Sequence, residues 1–589
     1  MQSDIILLPI LRNSRFFVFM YMLGAICIFT TGNKSYLPYY LKLYAELFLD
    51  LYITCCLLTL ISPKFRKVFK VFLFILLYSA AYIDVFCYIR TGSTLSPSML
   101  RLVFETNAKE ATEFINTYVN ANLLFSPFGL ILLLCICHIS IEFKEKKGKK
   151  LYARKRHIMS LNLLTICILA IGCQSSLVNK RNMLRLFSFT NLSEIEDYLG
   201  RVAYARRANY IPIYRLAFSL YANRLANQQI TRMIQTLRTT HIDACSFSSS
   251  NIVLIIGESY NRNHSQLYGY PYPTTPRQVC RAQEGNLFAF DNAVTPYNIT
   301  SEVLKNSFSL NDLTLHEEWC DKSLFTTIFK RAGYHVAFIS NQFVPKHEKD
   351  FFDFSGGMFL NSLELSKLQF DYRNDSTHTY DETLIKEYKN HRHLNKKHNL
   401  IIFSLLGQHV GYKDRFPQSF SIFSTNSYRR EDLSQKEIQI IADYDNATLY
   451  NDYVIDLIIR EFENEDAIVI YMPDHGDECY DGIRTFGRLH QDYITPQIAN
   501  NEYKIPFWIW CSPLYVKNHQ EIVSLIQKST QRPFYSDDLP HLLLFLGGIS
   551  QKDYRPQRNI ISPEYDELRL RLLRKNINFD ECIRLNATK

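Results

Sequence analysis

No two cysteines form a CxxC pair, and no Cys/His spacing of the zinc-finger kind occurs among the 14 cysteines and 16 histidines of this 589-residue chain. A thiolate metal site is therefore excluded. The net charge of +9 comes with no basic helix and no aromatic-basic sheet motif, so nothing marks the chain as a nucleic-acid binder. No internal repeat or low-complexity tract is present, which excludes a solenoid or a biased, unstructured chain. What remains is unevenly spread. The average of 47% hydrophobic residues hides an apolar first third and a remainder that alternates like a soluble α/β protein. The length is too great for one core, so two or more units are expected.

Five apolar runs, at 15–32, 43–62, 68–88, 123–142 and 158–176, are expected to cross a membrane. The plain alternative is a set of buried soluble helices. Glu46, Asp50 and Asp84 fall inside the second and third runs, where a charge costs a few kcal/mol unless it faces other helices or an interface. Lys64, Arg66, Lys67 and Lys70 follow the second run, and FKEKKGKKLYARKRH, denser in Lys and Arg, follows the fourth. The positive-inside rule makes both segments cytoplasmic, which puts the N-terminus inside and everything after about residue 177 outside. No small-residue cleavage site follows the first run, so it is expected to stay as an anchor. The outer loop 89–122 shows Met99, Leu102, Val103, Ala108, Ala111, Phe114 and Ile115 at helical spacing, the pattern of an amphipathic surface helix. The polar, basic stretch 177–247 reads as a helical linker. Six cysteines lie beyond the membrane part, and their even number permits disulfides without specifying a pairing.

From residue 248 to 589, short buried runs alternate with helical stretches: NIVLIIG (251–257), YHVAFIS (334–340), NLIIFSLL (399–406), AIVIYM (467–472) and KIPFWIW (504–510). This predicts a doubly wound, mostly parallel sheet. Polar groups follow three of these runs at once: Glu258-Ser259, Gly407-Gln408-His409 and Asp474-His475-Gly476-Asp477-Glu478. Each has an ordinary explanation alone, as a helix-start charge, a surface histidine or a solvated turn. The carboxyl ends of strands in such a sheet form its ligand crevice, however, and Glu258, Asp474 and His475 together make an N/O donor set for Zn²⁺, or less readily Mn²⁺. The stretch VTPYNITSEVLKNSFSL (294–310) offers five hydroxyls and reads by itself as a loop entering a helix. Thr300 or Ser301 would be the N-cap, with Glu302 in the first turn. A metal in the crevice would give one of those hydroxyls the acidity it lacks.

IIGESYNRNHSQLYGY resembles the opening motif of the membrane phosphoethanolamine transferases of the alkaline phosphatase and sulfatase superfamily. VTPYNITSEVLKNSFS, SNQ (340–342), GQHVGYKDRFP, DYDNATLYNDYV, YMPDHGDE, YRPQRNIISPEY and FETNAKEA extend the resemblance over nearly the whole chain. The Thr-x-Glu form of the nucleophile stretch is most like the lipopolysaccharide-core branch. The Cys-Gly-Thr of the lipid A branch is absent, and gapless alignment to it would put Asn298 at the reactive position. The resemblance implies an N-terminal five-helix membrane bundle (1–176) and a sulfatase-like α/β domain. It implies Glu258, Thr300, Asp474 and His475 as ligands of one Zn²⁺, with room for a second, and Thr300 as nucleophile. His409 and His490 would stand near the transferred phosphate, and His264 near the entrance. The implied donor is phosphatidylethanolamine and the implied acceptor lipopolysaccharide, with the catalytic domain periplasmic on the bacterial inner membrane. A related glycerophosphotransferase or phosphodiesterase, or a non-catalytic membrane sensor, are the alternatives. A sulfatase would need a C/S-x-P-x-R pattern, which the nucleophile stretch lacks.

Overall fold

The computed structural model describes residues 6–31, 37–91, 94–95, 121–144, 155–192, 194–195, 198, 211–315, 317–343, 357–488 and 493–587. The expected amphipathic helix of the outer loop and His490 lie outside these residues. The chain divides into two compact units, 1–227 and 228–589.

The first unit is helical: α1 (Ser14–Thr31), α2 (Leu37–Leu60), α3 (Pro63–Thr91), α4 (Pro127–Lys144) and α5 (Lys155–Leu186). Helix α6 (Pro212–Arg238) contains the division between the units. Among the described residues, four helices, α1, α2, α3 and α5, are long and apolar enough to cross a membrane. The fourth apolar run is shorter than its composition suggests. A 3₁₀ turn occupies Ala121–Phe125, and the helix starts only at Pro127. Proline lacks the N–H that would continue a preceding helix, and Ser126 Oγ accepts from the Phe128 N–H instead. The basic segment after α2 is no loop either. Lys64, Arg66, Lys67 and Lys70 occupy the first turns of α3, and Arg66 donates to the orphan carbonyls of Thr59 and Ile61 at the end of α2.

The three acidic residues of the second and third runs find partners at one end of the bundle. Buried Glu46 accepts from Ser175 and from Asn179 (2.5 Å) on α5, and Asp50 pairs with Lys180 and Tyr214 at 2.6 Å each. Asp84 takes Arg215 in a two-pronged pair at 2.7 and 2.6 Å, and Arg215 also reaches Thr31 at 3.2 Å. Helices that turn these groups on one another avoid exposing a charge to lipid.

The second unit is built on an eight-stranded sheet: β1 (Asn251–Gly257), β2 (Leu287–Val294), β3 (His335–Ser340), β4 (Tyr372–Arg373), β5 (Asn399–Ser404), β6 (Ala467–Pro473), β7 (Lys504–Cys511) and β8 (Phe534–Tyr535). Their order is β8-β2-β7-β6-β1-β5-β3-β4. Pairing is parallel from β6 to β4 and between β2 and β8, whereas β7 is antiparallel to both its neighbours. The sheet is mostly parallel, as the alternation of runs predicts, with one reversed strand. In β1, Ile252, Leu254 and Ile256 join the core on one face, and Val253 and Ile255 the core on the other. Burying these five side chains contributes about 10 kcal/mol before entropy is counted. That two-sided burial is why the strand reads as a continuous apolar run.

Candidate active site

Strands β1 and β6 are paired in parallel with Gly257 opposite Pro473. The residue after each, Glu258 and Asp474, therefore emerges side by side at the same sheet edge. Gly257 is required there, because a Cβ would stand 2.3 Å from the Tyr471 hydroxyl. Ser259 next adopts a left-handed conformation (φ 53°). That strain is held by its N–H on Asp474 Oδ1 (3.0 Å) and its hydroxyl on Glu258 Oε1 (2.7 Å).

Glu258, Asp474 and His475 are fully buried, and one donor atom of each lies within 4.8 Å of the others. His475 Nδ1 is 2.7 Å from the Gly476 carbonyl, which can only accept, so this nitrogen carries the proton. Nε2 is left facing Asp474 Oδ2 at 3.1 Å and Glu258 Oε1 at 3.6 Å. Asp474 Oδ2 is buried with no hydrogen-bond donor. Burial opposes its charge, but His475 beside it holds the Asp474 carboxyl below the usual carboxylate range. Burial would likewise lower His475, and Asp474 overrides it and raises it. Two carboxylates and an imidazole with its other nitrogen anchored are the donor set of a divalent cation, and a metal on Nε2 displaces the proton that otherwise goes there. The residues fit the group.

Helix α7 (Thr300–Phe308) brings the hydroxyl. Thr300 is not the N-cap. Ile299 holds that position without a side-chain cap, and Thr300 is the first helical residue. Its Oγ1 is spent on the cluster instead, at 3.2 Å from Glu258 Oε2 and 3.3 Å from His475 Nε2. Two of the neighbouring hydroxyls are committed elsewhere, Ser307 to the Val303 carbonyl and Ser309 to that of Trp319. Asn298 donates to Glu502 at 2.5 Å. Glu302 pairs with buried Lys305 at 2.8 Å, inside the fold rather than at the metal position.

Two further side chains enter the site. Gln342, at the end of the SNQ element after β3, donates to Glu258 Oε2 (3.2 Å) and to the Leu405 carbonyl (2.7 Å). Arg488 Nη1 stands 3.1 Å from His475 Nε2. The SNQ motif was the visible signal for the first. The second had none, because a single arginine fifteen residues past a strand has no pattern. His409 sits on a loop packed against Glu258, with the Gln408 N–H on the Glu258 carbonyl at 3.2 Å, and its ring Nδ1 lies 3.3 Å from the Val410 carbonyl.

His264 is buried, with Nδ1 2.5 Å from Asp445 and Nε2 2.9 Å from Asp481. Burial would lower its pKa, but Asp481 and Asp445 override that and raise it to about 10. Since the folded value exceeds the ordinary 6.5, the cluster's stabilisation is complete below about pH 6.5 and is lost as pH rises through 10. Thermal unfolding of the detergent-solubilised protein should therefore fall more steeply from about pH 7 to about pH 10 than in His264→Gln. Equal slopes would show that the ring is neutral.

Residues 250–549 match the sulfatase family model, which is half of the chain. The chain belongs to the sulfatase family. Its residues 51–186 match the model described as phosphoethanolamine transferase EptA/EptB. Among curated relatives, phosphoethanolamine transferase EptC of Escherichia coli K12 is 26% identical over 519 residues, covering 86% of this chain and 84% of the relative. CptA of Salmonella typhimurium is 25% identical over 502 residues, covering 84% and 82%. The solved zinc complex of the E. coli EptC periplasmic domain is 28% identical, with a TM-score of 0.50 over 58% of this chain and 95% of that one. Beyond that family, the chain is similar to phosphoethanolamine transferases in its N-terminal part and along most of its length.

Proposed function

We propose that this enzyme moves phosphoethanolamine from phosphatidylethanolamine to lipopolysaccharide in two steps through Thr300. The observation that carries the reading is the Thr300 hydroxyl at 3.2–3.4 Å from Glu258 and His475, in a cluster whose Asp474 Oδ2 has no donor. Zinc bound by Glu258, Asp474 and His475, the metal with which the E. coli EptC domain was solved, supplies the Lewis acidity that favours an ionised hydroxyl beside it. One ion accounts for the three described donors.

Thr300 Oγ1 attacks the phosphorus of the donor, the bond to the diacylglycerol oxygen breaks, and phosphoethanolamine stays on Thr300. An acceptor hydroxyl or phosphate then attacks the same phosphorus and frees Thr300. Arg488 is placed to hold a phosphoryl oxygen. A histidine, His409 or His490, protonates the leaving oxygen and takes the acceptor's proton. The helices of the first unit keep the enzyme at the inner membrane, where both lipids lie, with the second unit in the periplasm. The core-type nucleophile stretch favours the lipopolysaccharide core as acceptor over lipid A.

Lipopolysaccharide from cells with and without the protein, split into core and lipid A fractions and weighed by mass spectrometry, tests this directly. The core fraction should gain phosphoethanolamine. Gain in lipid A alone would move the acceptor, and gain in neither fraction would overturn the reading.

A further inference from the structure

Beside the loops that carry the metal donors lies a cavity of about 300 Å³. It is of headgroup size, too small for a whole lipid. Helix α8 (Gln435–Arg460) lines it with Ile441, and the fully buried Asp445 of the same helix stands behind the lining residues. Asp445 accepts from the hydroxyls of Tyr270 (2.8 Å) and Tyr428 (2.6 Å), as well as from His264. These bonds pin two aromatic rings in place. Tyr272 completes a triad, its ring centroid 5.3 Å from Tyr270 and 4.8 Å from Tyr428.

The charge of this floor follows from its hydrogen bonds. Both nitrogens of His264 face carboxylates, which only accept, so the ring is an imidazolium with charge +1. Asp445 and Asp481 carry −1 each, leaving the buried trio at −1. Asp481 Oδ2 takes His264 and Asn261, while its side chain stays 24% exposed toward the cavity it lines. At the rim stand Arg429 and Arg430. Arg430 is already paired with Asp432, and Arg429 is exposed and has no ion pair among the described residues. Tyrosine faces over a net negative floor attract an ammonium group, and a free guanidinium at the mouth attracts a phosphate.

We propose that this cavity binds a zwitterion bearing a primary ammonium and a phosphodiester, the ammonium among Tyr270, Tyr272, Tyr428 and Asp481 and the phosphate at Arg429. Two sources share that chemistry: the headgroup of a phosphatidylethanolamine molecule and a soluble or glycan-linked phosphoethanolamine ester. The site is separate from Thr300 and the metal donors. It is linked to them through Asn261, whose side-chain amide bonds both Asp481 and the Asp477 carbonyl at 2.9 Å, and through Tyr444, which packs on His264 and bonds the Ser259 carbonyl. The inference extends the transferase reading without depending on its mechanism.

The test is calorimetric binding of glycerophosphoethanolamine to the full-length Thr300→Ala protein in detergent, stripped of metal so that the cluster at Glu258 contributes no anion site. Binding should be retained in Tyr272→Phe and weakened about 5- to 20-fold in Tyr272→Ala, the range of a partly desolvated cation–π contact. Asp481→Asn and Arg429→Ala should each weaken it as well. Glycerophosphate, which lacks the ammonium, should bind at least about tenfold more weakly. Equal affinity for glycerophosphate, or equal loss in Tyr272→Phe and Tyr272→Ala, would overturn the proposal. Tyr272 is half-buried and makes no hydrogen bond through its hydroxyl among the described residues, so neither variant threatens the fold. Displacement of the ester by phosphatidylethanolamine nanodiscs would assign the lipid headgroup as occupant. Failure to displace would assign the soluble or glycan-linked ester. Because Thr300 is absent throughout, failure here leaves the transfer mechanism untouched, and failure of that mechanism leaves this binding untouched.

Discussion

Thr300→Ala should reduce transfer by at least about a thousandfold, the scale on which removal of an attacking side chain acts in other covalent enzymes. No substitute is at hand. Ser307 and Ser309 bond carbonyls of their own surroundings, and Asn298 is tied to Glu502. The variant should still fold, since Thr300 is only half-buried and caps nothing. It should also still bind zinc, because Glu258, Asp474 and His475 are unchanged. Transfer measured on the purified protein, with zinc content alongside, separates the outcomes. Normal transfer would sink the assignment of the nucleophile, whereas lost transfer with lost zinc would make Thr300 a structural ligand first. Thr300→Ser should keep a measurable part of the activity, since it retains the hydroxyl.

Arg215→Ala should lower the stability of the membrane unit by about 3–5 kcal/mol, the range for stripping one partner from a buried ion pair. Asp84 has no exposed side-chain surface and Arg215 only 8%. Among the described residues, Asp84 otherwise accepts from the Leu95 N–H at 3.1 Å. Removing the guanidinium leaves an acidic group that must either stay charged without its main partner or take a proton. Asp84→Ala alone should cost a similar amount by taking from buried Arg215 its carboxylate partner. The double variant Asp84→Ala, Arg215→Ala should recover part of the loss, because no lone charge remains. Thermal unfolding in detergent reads all three. A double variant as unstable as the sum of the singles would mean that the pair acts through packing rather than charge.

How far the site could be read in advance depends on how locally each residue is determined. Glu258, Asp474 and His475 were legible because they follow buried strands directly, and the carboxyl ends of parallel strands converge. The role of Thr300 needed the family pattern, since its surroundings alone suggest a helix cap. Only the tertiary position of Glu258 and His475 explains why the hydroxyl does something else. Strand β2 was missed because LFAFDNAV carries Asp291 and Asn292 and is only partly buried, so its pattern resembles a loop. The reversed direction of β7 has no signature in a run of apolar residues. The short fourth membrane segment turned on Pro127, whose missing N–H outweighs the hydropathy of the residues before it. His264 was placed by its neighbourhood in the sequence, whereas its real partners, Asp445 and Asp481, lie on remote segments.

The alignment of Gly257 with Pro473 has a consequence for how the metal position is built. The two acidic donors are set apart by the interval between adjacent strands, a ruler of about 4.8 Å fixed by backbone hydrogen bonds alone. Neither loop has to search for the other, and an ion bound there would meet a gauge already cut to size. The same ruler makes the position unforgiving. A slip of one residue in either strand would turn its donor to the opposite face of the sheet, while the core on both faces accepted the change in composition far more easily. Selection on the apolar residues of β1 and β6 is thus also selection on the chemistry one step beyond their ends.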